Sequence, residues 1–317
     1  MRGERARRAA RVRALAKINL DLRVIGKRQD GYHELRTVFQ TVSLADTLDI
    51  AFTPGAKTEI ELQGDLNTPE NLVFKAAGLC LDAMAVKGKA EFRLRKRIPM
   101  GAGLGGGSSD AAAVLLALPA LAGRTVPLDH LIEMASELGS DVPFFLLGGT
   151  AAGIGRGTEL FPLPEVPQRA GVLVAPGVHV STAEAYRALS TRLLTESQQS
   201  KMISFQSRIW GVGTDAFDCA ANDFESVVFE QYPPLASIKR RLLKLGAKPA
   251  MMTGSGSAVF GLFRTREEVS RALKSIGEEQ GFPISLVSRA RYRALWWGWL
   301  RPHLDEKRWP PQSRYVR

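Results

Sequence analysis

What this 317-residue sequence lacks excludes several classes of protein. Cysteine occurs only as Cys80 and Cys219. Neither these two nor the four histidines have the spacing of a metal site, so a disulfide framework and a zinc site are both unsupported. No apolar run approaches the roughly 20 residues of a membrane span. The arginine-rich start lacks the apolar stretch of a secretory signal, which favours a cytoplasmic protein, although it is also compatible with the remnant of an organellar presequence.

Charge is unevenly distributed along the chain. The net charge of +11 comes from the two ends, residues 1–13 with +5 and residues 289–317 with +6, while basic and acidic residues balance between them. We expect both ends to be solvated tails. The second end also carries four tryptophans among its arginines, Trp296, Trp297, Trp299 and Trp309. These could contact nucleic acid or a membrane surface, but we favour their packing on the second domain.

Hydrophobic periodicity predicts an α+β protein of two packed domains, residues 1–167 and 168–317, divided where prolines cluster at 162–167. Residues 15–24 alternate as in a half-buried strand, and Asp30-Gly31 predicts a turn into a second extended stretch. Helical spacing recurs at 71–84 and 128–138. A further helix over 111–118, capped by Ser108, Ser109 and Asp110, should end or kink at Pro119.

In the second half, possible capping boxes at Ser181, Asn222 and Thr265 predict the starts of three helices. The first of these should reach Leu194, and the polar residues 195–215 should form a loop. Two short strands over 250–253 and 258–263 should flank a Gly-Ser-Gly turn, and a last strand should follow near 284–287.

The strongest local signal is a glycine-rich stretch that runs directly into a helix: Pro99, Met100, Gly101, Ala102, Gly103, Leu104, Gly105, Gly106, Gly107, Ser108 and Ser109. Without Cβ atoms the backbone can approach a ligand closely, and a helix start favours phosphate. No lysine follows the last glycine, so the stretch is not a Walker loop. Gly101, Gly103 and Gly106 fit GxGxxG, but the charged residues before them and the missing acid after them do not fit a dinucleotide fold.

Together with two other segments, this stretch resembles the motifs of the GHMP kinases, a family of small-molecule kinases with an atypical phosphate loop. Residues 16–20 resemble the N-terminal motif of the family and residues 253–260 its C-terminal glycine motif. Residues 26–33, 139–144 and 221–225 are similar to one branch of the family. That branch phosphorylates the 2-hydroxyl of a cytidine-diphosphate-linked methylerythritol on the non-mevalonate route to isoprenoids. The resemblance spans about residues 14–288.

The resemblance implies a two-domain fold with the active site in the cleft between the domains. It also implies that ATP is the phosphoryl donor, bound by residues 99–109, and ATP in turn implies Mg²⁺, whose ligands the sequence does not identify. Asp141 would accept the hydroxyl proton, and Lys17 would hold Asp141 and neutralise developing charge. Tyr32 would stack on the cytosine, and His33 would bond its polar edge. The remaining substrate contacts would be Asn19, Thr182 and Tyr186.

Two other functions fit parts of the pattern. Another GHMP kinase, of the mevalonate or homoserine type, would share the glycine motifs, but Tyr32, His33 and Asp141 disfavour it. A non-catalytic RNA-binding module could use the basic ends, but Lys17, Asp141 and the complete set of loop glycines disfavour that function. The sequence gives no indication of the oligomeric state.

Overall fold

The computed structural model describes residues 6–64, 68, 70–192, 198–210, 217, 220–277 and 279–315. Cys219 and the predicted helix end at Leu194 lie outside these residues. Two sheets, each with helices packed on it, form the two halves of the chain. No helix in the described ranges is long and apolar enough to cross a membrane.

The first sheet is built around a long hairpin, β1 (Arg8–Lys27) and β2 (His33–Pro54). The two strands pair antiparallel from Arg8 opposite Phe52 to Lys27 opposite His33, so the predicted turn at Asp30-Gly31 is confirmed. Four more strands complete the sheet: β3 (Glu59–Gln63), β4 (Gly88–Arg95), β5 (Thr150–Gly155) and β6 (Glu159–Pro162). One edge of β2 carries β1, while the other carries β4 and β5 in succession.

Two expectations for the first strand are wrong. The strand starts at Arg8 rather than at residue 15, so residues 8–13 of the basic segment belong to the sheet and are not a solvated tail. Val12 and Ala14 are buried, whereas Arg11 faces outward and pairs with Asp49 on β2. The strand is also buried on both faces where a half-buried strand was predicted: Ile18 and Leu20 pack against the second half of the chain, and Lys17 on the other face is buried among residues of the first half, including Asn19 and Asp141.

Four helices belong to the first half: α1 (Leu72–Ala83), α2 (Gly106–Ala122), α3 (Leu128–Leu138) and α4 (Val142–Leu147). The predicted helices at 71–84 and 128–138 are confirmed as α1 and α3. The prediction for α2 is wrong at its start, and wrong in the alternative that Pro119 ends it. The helix begins at Gly106 without a side-chain cap, contains Pro119 and ends at Ala122, with Gly123 (φ 75°) as its C-cap. Burial of the helix from Ser109 to Ala122 outweighs the roughly 3 kcal/mol that an interior proline costs.

The second sheet has the order β10-β7-β9-β8 and is antiparallel throughout. Its strands are β7 (Ala170–Ala175), β8 (Ala250–Met252), β9 (Val259–Phe263) and β10 (Gln280–Ser285). Its helices are α5 (Thr182–Arg192), α6 (Gln198–Trp210), α7 (Glu225–Gln231), α8 (Pro233–Lys244) and α9 (Arg266–Ser275). The loop predicted over 195–215 is therefore wrong where α6 forms, because Phe205 of that segment packs into the core.

The predicted capping residues have different outcomes. Thr265 forms a complete capping box with Glu268, as predicted. At Ser181 the hydroxyl accepts a bond from the backbone N–H of Glu184. Asn222 is not the N-cap of α7: its amide donates to the carbonyls of Met252 and Gly254 instead.

A hydrophobic cluster lies between the two sheets and joins the halves. It contains Ile18, Leu20 and Val42 of the first sheet and Leu173 and Phe260 of the second. Lys17 and Asn19, the polar residues of β1 beside this cluster, line the cleft between the halves. The assignment of 1–167 and 168–317 to separate domains stays a prediction.

A last helix, α10 (Arg289–Leu300), follows the second sheet and leads through a 3-10 turn at Arg301–His303 to the described end at Tyr315. Tyr292, Trp296 and Leu300 are buried in the core of the first half. Packing of this segment is confirmed, but it packs on the first half rather than on the second as predicted. Of its arginines, Arg291 is exposed, whereas Arg289 is half-buried and donates to the Thr150 carbonyl and Arg293 lies over the Trp309 ring.

Candidate active site

Lys17 and Asn19 lie at the floor of the cleft, on a part of β1 flanked by irregularities in its pairing with β2. Both are buried, with 3% and 2% of their surfaces exposed. The Lys17 ammonium donates to Asn19 Oδ1 at 2.8 Å, and the Asn19 amide donates to Thr37 Oγ1 at 2.8 Å. Burial of a charged ammonium costs free energy unless the charge is paired. The buried position of Lys17 therefore indicates a functional role rather than core packing.

Asp141 lies directly before α4 and faces the buried lysine. Its Oδ2 is 3.4 Å from Lys17 Nζ, and its side chain is 31% exposed. Although an aspartate in this position commonly caps a helix, Asp141 makes no side-chain cap bond to α4. The carboxylate is therefore both paired with a cation and open to the cleft, which allows it to accept a proton from a bound hydroxyl.

The glycine-rich loop, residues 99–109, packs tightly against the protein on both sides. A Cβ on Gly103 would lie 2.2 Å from the carbonyl oxygen of Thr253, and one on Gly105 would lie 2.9 Å from the Phe145 ring. Both glycines also have positive φ, 77° and 67°. These glycines are thus required by contacts within the protein, in addition to any ligand that approaches the backbone.

Residues 253–257, the first part of the C-terminal glycine motif, contact the glycine-rich loop at Gly103. Asn19 Oδ1 accepts a bond from the Gly254 N–H at 2.9 Å, and Thr253 Oγ1 accepts one from the Asn19 N–H at 3.0 Å. The amide of Asn222 fixes the same turn from behind. Asn19 therefore links the catalytic lysine candidate to a loop more than 230 residues away in the sequence.

A buried group of three charges supports the glycine loop from below. The Lys96 ammonium contacts the carboxylates of Asp46 and Asp110, and the Asp110 contact is 2.7 Å. Asp46 Oδ1 also accepts the backbone N–H groups of Arg97 and Ile98. Burial, together with the neighbouring Asp46 and against the attraction of Lys96, raises the pKa of Asp110 to about 7. This residue was predicted to cap α2, but it lies inside the helix and pairs with Lys96.

Aromatic side chains line the far wall of the cleft. The rings of His33 and Tyr186 stack with their centroids 4.5 Å apart, and His33 Nε2 lies 2.8 Å from the Ser190 hydroxyl. Tyr32 is 57% exposed, and its ring is covered on one face by the Arg156 guanidinium at 3.9 Å. Burial, with a smaller effect of Lys27, lowers the pKa of His33 below its ordinary 6.5, so His33 is neutral near pH 7.

These residues surround one open cleft of about 1300 Å³. Of the sequence-predicted site residues, the cleft brings together Lys17, Asn19, Tyr32, His33, Gly101, Gly103, Gly105, Ser108, Asp141, Thr182 and Tyr186. It does not bring in the side chains of Ala102, Leu104 and Ser109, which are buried; the Ser109 hydroxyl donates to the carbonyl of Leu15. Pro99, Met100, Gly106 and Gly107 complete the loop without lining the cleft.

Models of known protein families match segments in both halves of the chain. The model of the GHMP kinases N terminal domain matches residues 71–149, and the model of the GHMP kinases C terminal region matches residues 208–281. A 4-diphosphocytidyl-2-C-methyl-D-erythritol kinase of Solibacter usitatus (strain Ellin6076) is 64% identical over 97% of this chain and 98% of its own length. The chain belongs to the GHMP kinases.

Other relatives of this GHMP kinase agree. A 4-diphosphocytidyl-2-C-methyl-D-erythritol kinase of Pelotomaculum thermopropionicum is 44% identical over 78% of this chain and 87% of its own length. A crystal structure of 4-(cytidine 5'-diphospho)-2C-methyl-D-erythritol kinase, 37% identical, superposes with a TM-score of 0.74 over 87% of this chain and 98% of the other. A homoserine kinase of Cytophaga hutchinsonii is 18% identical, covers 88% of this chain and 95% of its own, and has a TM-score of 0.67, which shows the shared α+β fold alone.

Several contacts at the site of this GHMP kinase have no signal in the sequence. Arg156 on Tyr32 and the group formed by Asp46, Lys96 and Asp110 carry no motif of their own. Thr37 joins the floor only because β2 lies beside β1. The pair of glycine motifs was the available signal that two distant segments meet at the site. A glycine that no ligand requires predicts the close approach of another part of the backbone.

The oxygen ligands that the cleft of this GHMP kinase offers suit a magnesium ion bound mainly to the phosphates of a nucleotide. Within the described ranges, no group of three or more His, Cys, Asp or Glu side chains could hold a metal by itself. The cleft does offer oxygen donors, including the Ser108 hydroxyl and the Glu137 carboxylate. Magnesium commonly takes one or two protein oxygens and completes its shell with phosphates and water.

Proposed function

We propose that this chain transfers the γ-phosphoryl group of ATP to the 2-hydroxyl of 4-diphosphocytidyl-2-C-methyl-D-erythritol. The observation that carries the proposal is the Lys17–Asp141 pair at the floor of one cleft, between a glycine loop and an aromatic wall. The relatives at 64% and 44% identity carry the name of that kinase and support the same substrate. The reaction belongs to the non-mevalonate route to isoprenoid precursors.

Asp141 accepts the proton of the substrate hydroxyl as the oxygen attacks the γ-phosphorus. Its partial exposure to the cleft supports this role. Lys17 holds the carboxylate in place and neutralises the charge that develops between donor and acceptor. Asn19 fixes the Lys17 ammonium and contacts the substrate beside it, as its bond to Lys17 Nζ at 2.8 Å allows.

Residues 99–109 bind the phosphates of ATP through the backbone of the loop and the start of α2. The N-terminal N–H groups of a helix lack intrahelical partners and favour anions. Magnesium bound with ATP neutralises phosphate charge, and Ser108 and Glu137 are the side chains that would hold it.

The aromatic wall binds the cytidine end of the substrate. Tyr32 offers an exposed ring for stacking, and neutral His33 offers its Nδ1, the ring nitrogen that is not bonded to Ser190, to the polar edge of the base. Tyr186 closes the wall from α5, with Thr182 one turn earlier on the same helix. The phenol of Tyr186 keeps its proton, because burial and, less strongly, Asp141 raise its pKa.

The alternative functions have less support. Homoserine and mevalonate kinases share the fold at identities of 18% and 15%, far below the 64% of the relative named above. An RNA-binding module would need exposed aromatic rings at the basic end, whereas Trp296 is buried and Trp299 and Trp309 pack against the core of the first half. A cytoplasmic location remains part of the proposal.

The substrate is tested by measuring ADP release from ATP with a panel of alcohols under saturating magnesium. The panel contains 4-diphosphocytidyl-2-C-methyl-D-erythritol, mevalonate and homoserine. We expect kcat/KM for the first compound to exceed the others by at least about 10³, since a site built to hydrogen-bond a group discriminates strongly against substrates that lack it. Turnover of mevalonate or homoserine at a comparable rate would overturn the substrate assignment.

A further inference from the structure

The C-terminal segment from Arg289 to Tyr315, here called the strap, contacts the helix that follows Asp141. It lies beyond residue 281, where the matched family models end. Its start is fixed by Ser288, which caps α10, and by Glu165, which accepts the Arg289 N–H at 2.7 Å. Farther on, its Ser313 hydroxyl donates to the Ala120 carbonyl on α2 at 2.8 Å.

Two hydrogen bonds join the strap to the last turn of α4. The Tyr292 hydroxyl donates to the Phe145 carbonyl at 2.6 Å, and the Trp309 Nε1–H donates to the Leu146 carbonyl at 3.0 Å. The final carbonyls of a helix have no partner within it. The strap therefore supplies donors to two carbonyls that a six-residue helix cannot satisfy by itself.

The strap and α4 also pack closely against each other at the C-terminal end of α4. Gly148 ends α4 with φ 67°, and a Cβ there would lie 2.3 Å from the Tyr292 ring. Trp296 and Trp309 pack edge-on against that ring, with centroids 6.3 and 6.1 Å away. Burial raises the pKa of the Tyr292 phenol, so the hydroxyl keeps the proton that it donates.

Helix α4 connects the strap to the reacting centre. Asp141 immediately precedes α4, and the Phe145 ring of α4 lies against Gly105 of the glycine loop. A helix of six residues is less than two turns long, so its two ends move together. A shift of the Phe145 and Leu146 carbonyls therefore moves the Asp141 carboxylate relative to Lys17.

We propose that the strap is a positioning element of the kinase: through Tyr292 and Trp309 it holds α4 so that Asp141 faces Lys17 and the substrate hydroxyl. The proposal rests on the role of Asp141 given above. Tyr292 and Trp309 are positioning residues, since both act through the backbone of α4 and neither lines the cleft.

The experiment compares Tyr292→Phe and Trp309→Phe with two matched controls. Tyr292→Phe removes only a hydroxyl, and its control Ser313→Ala removes a strap hydroxyl that bonds α2 instead. Trp309→Phe removes an indole N–H, and its control Trp297→Phe removes one that bonds Arg308 within the strap. We expect each α4 variant to lower kcat about tenfold with KM for ATP and for the alcohol within twofold, because small misplacements of a catalytic group are costly. Both controls should keep kcat within twofold.

A second measurement separates positioning of Asp141 from general loosening of the fold. Tyr292→Phe is combined with Asp141→Asn, which removes the proposed base. If the strap acts through Asp141, the double variant has the same kcat as Asp141→Asn alone, because the effects of groups that act as a unit do not add. Multiplying effects, unchanged kcat in both α4 variants, or equal losses in the controls would each overturn the proposal. An Asp141→Asn enzyme with full kcat would overturn the base assignment itself and, with it, the role of the strap.

Discussion

The reacting centre and the aromatic wall of the cleft are built in different ways. At the reacting centre, Lys17 and Asn19 are buried and their polar atoms bond to two glycine motifs and to β2. At the wall, Tyr32 is more than half exposed, and its ring is in contact with the exposed side chain of Arg156.

The difference teaches how the two parts contribute to the reaction. Groups that must meet a developing charge gain most when they are fixed before the substrate arrives, since no reorganisation is then needed. A wall that recognises a flat base gains from an accessible ring that can stack on it. Changes at the centre should therefore reduce kcat, and changes at the wall should raise KM.

The largest effect is expected at the centre, from Asp141→Asn. The amide cannot accept the hydroxyl proton, so we expect kcat to fall by about 10² or more with KM little changed. Steady-state measurement of ADP release checks this, and circular dichroism of the variant controls for folding. A raised KM with an unchanged kcat would place Asp141 in substrate binding and remove the contrast between centre and wall.

The next effect is expected from Gly103→Ala, where the two glycine motifs touch. The new Cβ would lie 2.2 Å from the Thr253 carbonyl oxygen at a residue with φ 77°. We expect the free energy of unfolding to fall by roughly 3 kcal/mol, which denaturant titration would measure.

Gly107→Ala is the matched control for that prediction. The nearest atom to its Cβ would be 3.9 Å away, and its φ is not positive. We expect its stability to stay within about 0.5 kcal/mol of the original protein or to rise slightly. Equal losses in both variants would mean that the contact with Thr253 is not what makes Gly103 necessary.

At the wall, Tyr32→Ala should raise KM for the cytidine-linked substrate while kcat changes little. Loss of one stacking ring costs about 1–3 kcal/mol of binding, and Tyr32→Phe, which keeps the ring, should behave like the original protein. His33→Ala should also act mainly on KM. If either alanine variant lowered kcat as Asp141→Asn does, the wall would share in the chemistry.

The smallest effect concerns the group below the glycine loop. Because the pKa of Asp110 is raised to about 7 from an ordinary 3.8, the folded state keeps a proton that the unfolded chain releases at a lower pH. The stability that this carboxyl contributes is present below pH 3.8 and is lost as the pH rises through 7. Asp110→Asn should therefore be more stable than the original protein at pH 8 by about 1 kcal/mol, and this difference should be smaller at pH 5 and vanish below pH 3.8.

Thermal unfolding at both pH values measures this difference, and exposed Asp129→Asn serves as the control. If Asp110→Asn were less stable at pH 8 than at pH 5 relative to the original protein, the ion pair with Lys96 would outweigh the cost of burying the charge.

The sequence by itself determined several of the elements and the order of the site residues along the chain. Alternation gave the β1–β2 hairpin, and helical spacing gave α1 and α3, because these patterns repeat locally and depend little on the rest of the fold. The glycine loop and the residues around Lys17 and Asp141 were also visible, since several short motifs occur in a fixed order.

Only the tertiary structure decided what each polar residue touches. Asp110 was predicted as a cap and is instead the partner of Lys96, and the tryptophans of the strap pack on the first half rather than on the second. Pairings of this kind join residues that are far apart in sequence, so no local period encodes them. The free energy that holds the strap in place comes from apolar burial, which exists only after the two halves and the strap have come together.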